Sequence, residues 1–157
     1  MRTLYPLGVL AVALACTSPL DVPTSELPLV ETDLAFEFDA DDPNDLAEPI
    51  SYRFTNRTRT TLYLQTHCAI VLEAETGSGA WERVWGAEEC LAVQQRAIRV
   101  GPGEHYENDV KPRNVEGAVP GGYRLRFLAV SDELISAVEL GASIPEALRR
   151  SNRFSIR

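Results

Sequence analysis

The stretch Pro120-Gly121-Gly122-Tyr123-Arg124-Leu125-Arg126-Phe127 decides the fold class. A proline and two glycines supply turn chemistry, and the residues after them alternate with a period of two. Tyr123, Leu125 and Phe127, continued by Ala129, fall on one face of an extended segment. Arg124, Arg126 and Leu128 fall on the other. Such alternation predicts a strand with one face buried. Outward from this stretch the pattern repeats. Leu34, Phe36 and Phe38 alternate with Ala35, Glu37 and Asp39. Ile50, Tyr52 and Phe54 alternate with Ser51, Arg53 and Thr55. Leu62 and Leu64 flank Tyr63, Ile70, Leu72 and Ala74 alternate with Val71, Glu73 and Glu75, and Phe154 and Ile156 close the chain.

The separators are turn formers: Asn56-Arg57-Thr58-Arg59, Gly77-Ser78-Gly79, and Gly101-Pro102-Gly103 ahead of a short strand from His105 to Val110. About seven to nine short strands with this spacing predict an all-β antiparallel sandwich over residues 33–157. Ser131 to Ser151 departs from the pattern, being rich in Ala, Leu and Glu. Within it, Ile144 to Arg150 predicts a short helix before the last strand. Ser143 is its expected N-cap, with Pro145 in the first turn and Glu146 completing a capping box. The chain has no internal repeat.

Four features together resemble bacterial immunoglobulin-like domains. They are Asn56 after a strand, Trp85 before a loop, Pro102-Gly103-Glu104, and Pro120-Gly121-Gly122-Tyr123-Arg124-Leu125. Among such domains the pattern is similar to the BsuPI-type proteinase-inhibitor domain, over roughly Leu34 to Ile156. The resemblance implies an immunoglobulin-like β-sandwich. It also implies a reading as an inhibitor that would present Gly101–Glu104 or Gly77–Gly79 to a protease. Cys68, Cys90 and the helical insertion depart from that pattern.

The N-terminus carries an address. Met1-Arg2-Thr3 precedes an apolar run from Leu4 to Ala15, and Cys16 follows. The run is shorter than the roughly 20 residues a membrane-spanning helix needs and suits the core of a secretory signal. Ala13-Leu14-Ala15-Cys16 looks like the lipobox of a bacterial lipoprotein, with Ala13 where leucine is usual. Residues 1–16 are therefore expected to be a signal ending in a lipid-attachment cysteine, the link to a membrane. Thr17 after the cysteine, in place of aspartate, leans toward the outer membrane, at its periplasmic face or the cell surface. Residues 17–32, with Pro19, Pro23 and Pro28, read as an extended tether.

The chain of 157 residues carries 23 acidic and 15 basic side chains, a net charge of −8. This excess argues against nucleic-acid binding, which needs clustered Lys and Arg. With Cys16 acylated, two of the three cysteines remain. In an oxidising compartment Cys68 and Cys90 are expected to form a disulfide.

Chemistry has few footholds. Asp39, Asp41, Asp42 and Asp45, with Asn44 among them, form an acidic segment of the kind calcium favours. Pro43 interrupts it, and no EF-hand spacing is present. His67 beside Cys68 does not make a nucleophilic pair, because neighbours on a strand point to opposite faces. His105 has no evident partner. No G-x-S-x-G, H-E-x-x-H, P-loop or dinucleotide motif occurs. Trp81, Arg83 and Trp85 would share one face of a regular strand and form a candidate binding patch, or pack into the core. The reading that follows is a noncatalytic, lipid-anchored binding or assembly module of the cell envelope, with no cofactor and an envelope protein as partner. The alternatives are the proteinase inhibitor and a hydrolase or calcium-dependent protein.

Overall fold

The alternating segment Gly121–Phe127 becomes the central strand of a five-stranded sheet. The computed structural model describes residues 28–66, 69–86 and 96–157. In chain order the first strands are β1 (Val30–Thr32), β2 (Ala35–Phe36), β3 (Ile50–Thr55), β4 (Leu62–Leu64), β5 (Ile70–Glu75) and β6 (Trp81–Trp85). They are followed by β7 (Ile98–Val100), β8 (His105–Val110), β9 (Gly121–Phe127), β10 (Val130–Ser131), β11 (Leu134–Ser136), β12 (Glu139–Leu140) and β13 (Phe154–Ile156).

The five-stranded sheet has the order β2-β13-β9-β5-β6, and β1-β3-β8 forms a second sheet. All pairings are antiparallel except that of β2 with β13. The first strand thus divides between the sheets, β1 lying on β3 and β2 beside the last strand. This is an all-β sandwich of mainly antiparallel sheets. The inner faces meet around Phe127 of β9, whose ring lies 5.2 Å from Tyr52 and 6.2 Å from Phe54 of β3. Phe36 stacks edge-on to Phe154 at 5.1 Å. Ile50, Phe54, Leu72, Leu125, Phe127 and Ile156 are fully buried. Each contributes about 1.5–3 kcal/mol through removal of its side chain from water.

A third sheet, β10-β4-β7, continues the β3–β8 ribbon beyond a corner. The corner is built on Asn56, which is completely buried. Its amide nitrogen donates to Thr60 O at 2.8 Å and Val100 O at 2.9 Å. Its side-chain oxygen accepts from Thr58 N at 2.9 Å and Thr58 Oγ1 at 2.7 Å. The backbone of the same residue is tied to Gly103 and Glu104. One side chain thereby holds together the two crossings, β3 to β4 and β7 to β8.

Three local expectations change. The tether expected over residues 17–32 stops short of its end, because Leu29 and Val30 are buried and Val30–Thr32 is β1. The domain therefore includes these residues. Leu34 is 74% exposed, since it lies where the chain passes from one sheet to the other. The expected helix is a 3₁₀ turn, Glu146–Arg149, with no side-chain cap. Ser143 Oγ donates instead to Leu128 O at 3.2 Å, and Glu146 pairs with Arg150. The regular structure in the rest of the insertion is β-structure, in β10, β11 and β12.

Asn56→Ala strips the buried corner of four hydrogen bonds. The expected loss is roughly 3 kcal/mol, read as a lower urea midpoint with an unchanged slope. A midpoint equal to the parent's would show that the corner does not depend on this amide.

Candidate functional site

The aromatic-arginine segment lies on β6, an edge strand, and its geometry is set by a bulge. Trp81 pairs with Glu75 and Arg83 with Glu73, but Trp85 pairs with Leu72, so Val84 is an extra residue. A bulge re-aims the side chains that follow it. Trp81 and Arg83 consequently stand opposite outward-facing glutamates, while Trp85 stands opposite a core leucine and packs on the core. The three residues do not form one continuous face. The strand ends at Gly86, where φ is 102° and a Cβ would lie 2.5 Å from Ile70 O. Only glycine fits there.

On the outer face of the same sheet Arg124 lies 4.1 Å above the Trp81 ring. Glu73 is 5% exposed and accepts from Arg124 Nε at 2.7 Å and Arg126 Nε at 2.5 Å. Glu75 accepts from Arg153 Nε at 2.8 Å, across the space left by Gly122. The arginines expected to face solvent are thus organised around a buried carboxylate. A lone buried carboxylate would be costly, and the two guanidiniums offset that cost.

The acidic segment is occupied with its own backbone. Asp39 accepts from Asp41 N at 2.9 Å, Asp42 from Asn44 N at 3.0 Å, and Asp45 from Asn114 N at 2.8 Å. The first two are turn-forming contacts, and the third ties the segment to the loop after β8. Among the described residues no group of three His, Cys, Asp or Glu is placed to hold a metal ion. Gly101–Glu104 is a type II turn, with Gly103 at φ 75° and Glu104 N donating to Gly101 O at 3.0 Å. The Gly77–Gly79 turn is closed by Gly79 N to Thr76 O at 2.9 Å. Neither turn is an extended loop. His105 is exposed on β8, in register with Thr55. Cys16, His67, Cys68 and Cys90 lie outside the described residues, as do the leader and the proposed disulfide.

Two surface features remain. An open recess of about 660 Å³ lies over β1-β3-β8, bordered by Glu31, Ser51, Arg53, Glu107 and Asp109. Glu107 pairs there with Arg53 at 2.5 Å, and Glu31 pairs with Arg57. The other feature is the β11–β12 hairpin, which among the described residues forms a two-stranded sheet of its own. Leu134 is 41% and Ile135 57% exposed, and every residue of β11 is exposed. The hairpin is nevertheless fixed. Ala97 N donates to Ala137 O at 3.0 Å, and Gln65 Nε2 donates to Val138 O at 2.7 Å. Ser131 Oγ, at the hairpin's base, donates to Ala142 O at 2.8 Å.

No protein-family model matches this chain, and no curated protein or solved structure is significantly similar to it. Its chemistry is therefore read from its own residues.

The titratable groups whose affinity for protons is displaced include two core tyrosines. Tyr52 is 3% exposed, and its hydroxyl has no hydrogen-bond partner among the described residues. Asn108, opposite it in register, commits its amide to Tyr106 Oη at 2.9 Å. Burial first, then the neighbouring Tyr106, pushes the Tyr52 hydroxyl well above the ordinary tyrosine value, and the Asn108 amide, near it but without hydrogen-bond geometry, counters this only in part. Burial also raises Tyr123, partly countered by its hydrogen bond to Val119 O at 2.5 Å. Neither group matches the demands of acid–base chemistry near neutral pH.

These shifts fix a direction for alkaline stability. Above about pH 10 the unfolded chain loses tyrosine protons that the folded chain retains. Stability is complete below that pH and falls above it, until the folded-state value of each tyrosine is reached. Tyr52→Phe removes the unpartnered hydroxyl and keeps the ring on Phe127. It is expected to raise stability by about 1 kcal/mol at pH 7 and to flatten the decline above pH 10 in urea titrations. An unchanged alkaline slope would assign the decline to other groups.

Proposed function

We propose that this chain is a lipid-anchored, noncatalytic binding or assembly module of the cell envelope. The observation that carries the reading is the β11–β12 hairpin. It places Leu134 and Ile135 in water, adds none of β11 to the core, and is still tied to the body by hydrogen bonds. A two-stranded hairpin is marginal by itself. One held rigid with its aliphatic side chains outward has the preorganisation a binding surface needs. The buried ionic groups have a sufficient structural role, Glu73 between two arginines being the main case. Anchoring follows from the lipobox-like Ala13-Leu14-Ala15-Cys16, and the three-proline segment after it supplies reach.

The inhibitor reading, which comes from resemblance, would need a segment that enters a protease cleft. The two turns suggested for that purpose are closed tightly on themselves, so the binding reading is the better supported.

Two measurements test the proposal. Cys16→Ser should move the protein from the membrane pellet to the soluble fraction of a bacterial envelope preparation; retention in the pellet would overturn the anchor. Affinity capture from detergent-solubilised envelope, with the full chain as bait, should retain one reproducible envelope protein. Capture of nothing above a scrambled-surface control would overturn the module, and retention of a protease whose activity falls on binding would install the inhibitor in its place.

A further inference from the structure

The exposed aliphatic residues of β11 in the β11–β12 hairpin lie beside unpaired carboxylates. Asp132 and Glu133 precede Leu134 and Ile135 in the chain, Glu139 lies opposite Ser136 on β12, and all three are exposed. None takes part in an ion pair among the described residues. They differ in this from Glu107, Glu31, Glu104, Glu75 and Glu146, which pair with Arg53, Arg57, Arg99, Arg153 and Arg150. The hairpin therefore combines exposed aliphatic groups with negative charge that its own fold leaves unanswered.

We infer that the β11–β12 hairpin docks into an apolar cleft on a second protein, and that the cleft is rimmed by arginine or lysine. This rests on the binding-module reading and specifies its partner's chemistry. Leu134 and Ile135, where a register shift before Ser136 interrupts the regular alternation of β11, supply the apolar part of the contact, and the carboxylates supply the rim. Charge selects this occupant over the others. Two copies of the hairpin packed symmetrically would bring Asp132, Glu133 and Glu139 against their own equivalents, in a chain already at net charge −8. An anionic lipid surface would meet the same repulsion. A basic rim would be drawn to it, more strongly at low salt.

The test uses the full chain with p-benzoylphenylalanine, a photo-crosslinking residue, in place of Ile135, and the same residue in place of Ser78 as a distant control. Illumination in intact cells should join position 135 to another protein, at an apolar segment with arginine or lysine beside it. Adding Glu133→Lys with Glu139→Lys should cut the adduct about tenfold. Reversing the partner's basic residues to glutamate should restore it. The milder pair Glu133→Gln with Glu139→Gln should give an intermediate yield, and urea unfolding equal to the parent's shows that the variants fold. An adduct with a second copy, with lipid or with nothing, or one indifferent to charge reversal, overturns the inference. If position 78 captures an envelope protein while position 135 does not, the hairpin is excluded and the module stands. If neither position captures a protein, both readings fall.

Discussion

The constraint on which the sandwich turns is the saturation of one buried amide. Asn56 sits where a two-stranded ribbon leaves one sheet and enters another, a place where backbone groups cannot all find ladder partners. Its two N–H groups reach carbonyls on both sides of the bend, Thr60 O and Val100 O, and its oxygen takes up the amide and hydroxyl of Thr58. Aspartate would lack the donors, and glutamine would be a methylene too long. A buried polar group is favourable only when fully satisfied, and here satisfaction requires the β3–β4 and β7–β8 crossings together. Thus Leu62, Leu64 and Val100, beyond the bend, join the same core as Ile50 and Phe54 before it.

How much of this was legible depended on how many faces of a segment are covered. Ile50–Phe54 and Tyr123–Phe127 declared themselves because one face is buried and the other is not. β5 concealed half its role. Val71 and Glu73 are buried as well as Ile70 and Leu72, so a polar residue at an outward position gave no sign of its two arginines. Leu34 fitted a period of two that ends at the crossing between sheets. The Val84 bulge has no compositional mark, and a single extra residue reassigned Trp85. The β11–β12 hairpin was hidden more thoroughly. Glu133 to Leu140 is made of Leu, Ala, Glu, β-branched residues and one serine, and its tip, Ala137-Val138, contains none of the usual turn formers. Tertiary hydrogen bonds to residues 65 and 97 fix a turn that local propensity does not specify.

The arginines explain how an acidic chain keeps a charged sheet face intact. Glu73 bridges Arg124 and Arg126, Trp81 covers Arg124, and Gly122 leaves room for the Glu75–Arg153 pair. Losing one partner of such a cluster strands charge away from water, whereas replacing the whole cluster with apolar side chains can be neutral. Its value lies in defining which strands lie side by side as much as in the energy it supplies. Glu73 faces Arg124 directly and Arg126 diagonally, an arrangement that a one-residue slip of β5 against β9 would destroy.

The bulge at Val84 also divides the optical character of the molecule. The chain has two tryptophans, and the extra residue sends them to opposite sides of one edge strand. Trp81 lies beneath a guanidinium on the outer face, and Trp85 lies against the apolar interior. Their indoles therefore sample different polarity and different neighbours, although only three residues separate them. Loosening of the outer arginine cluster and melting of the core would be registered by different fluorophores. A single strand thus carries two independent reporters, one for each side of the sheet.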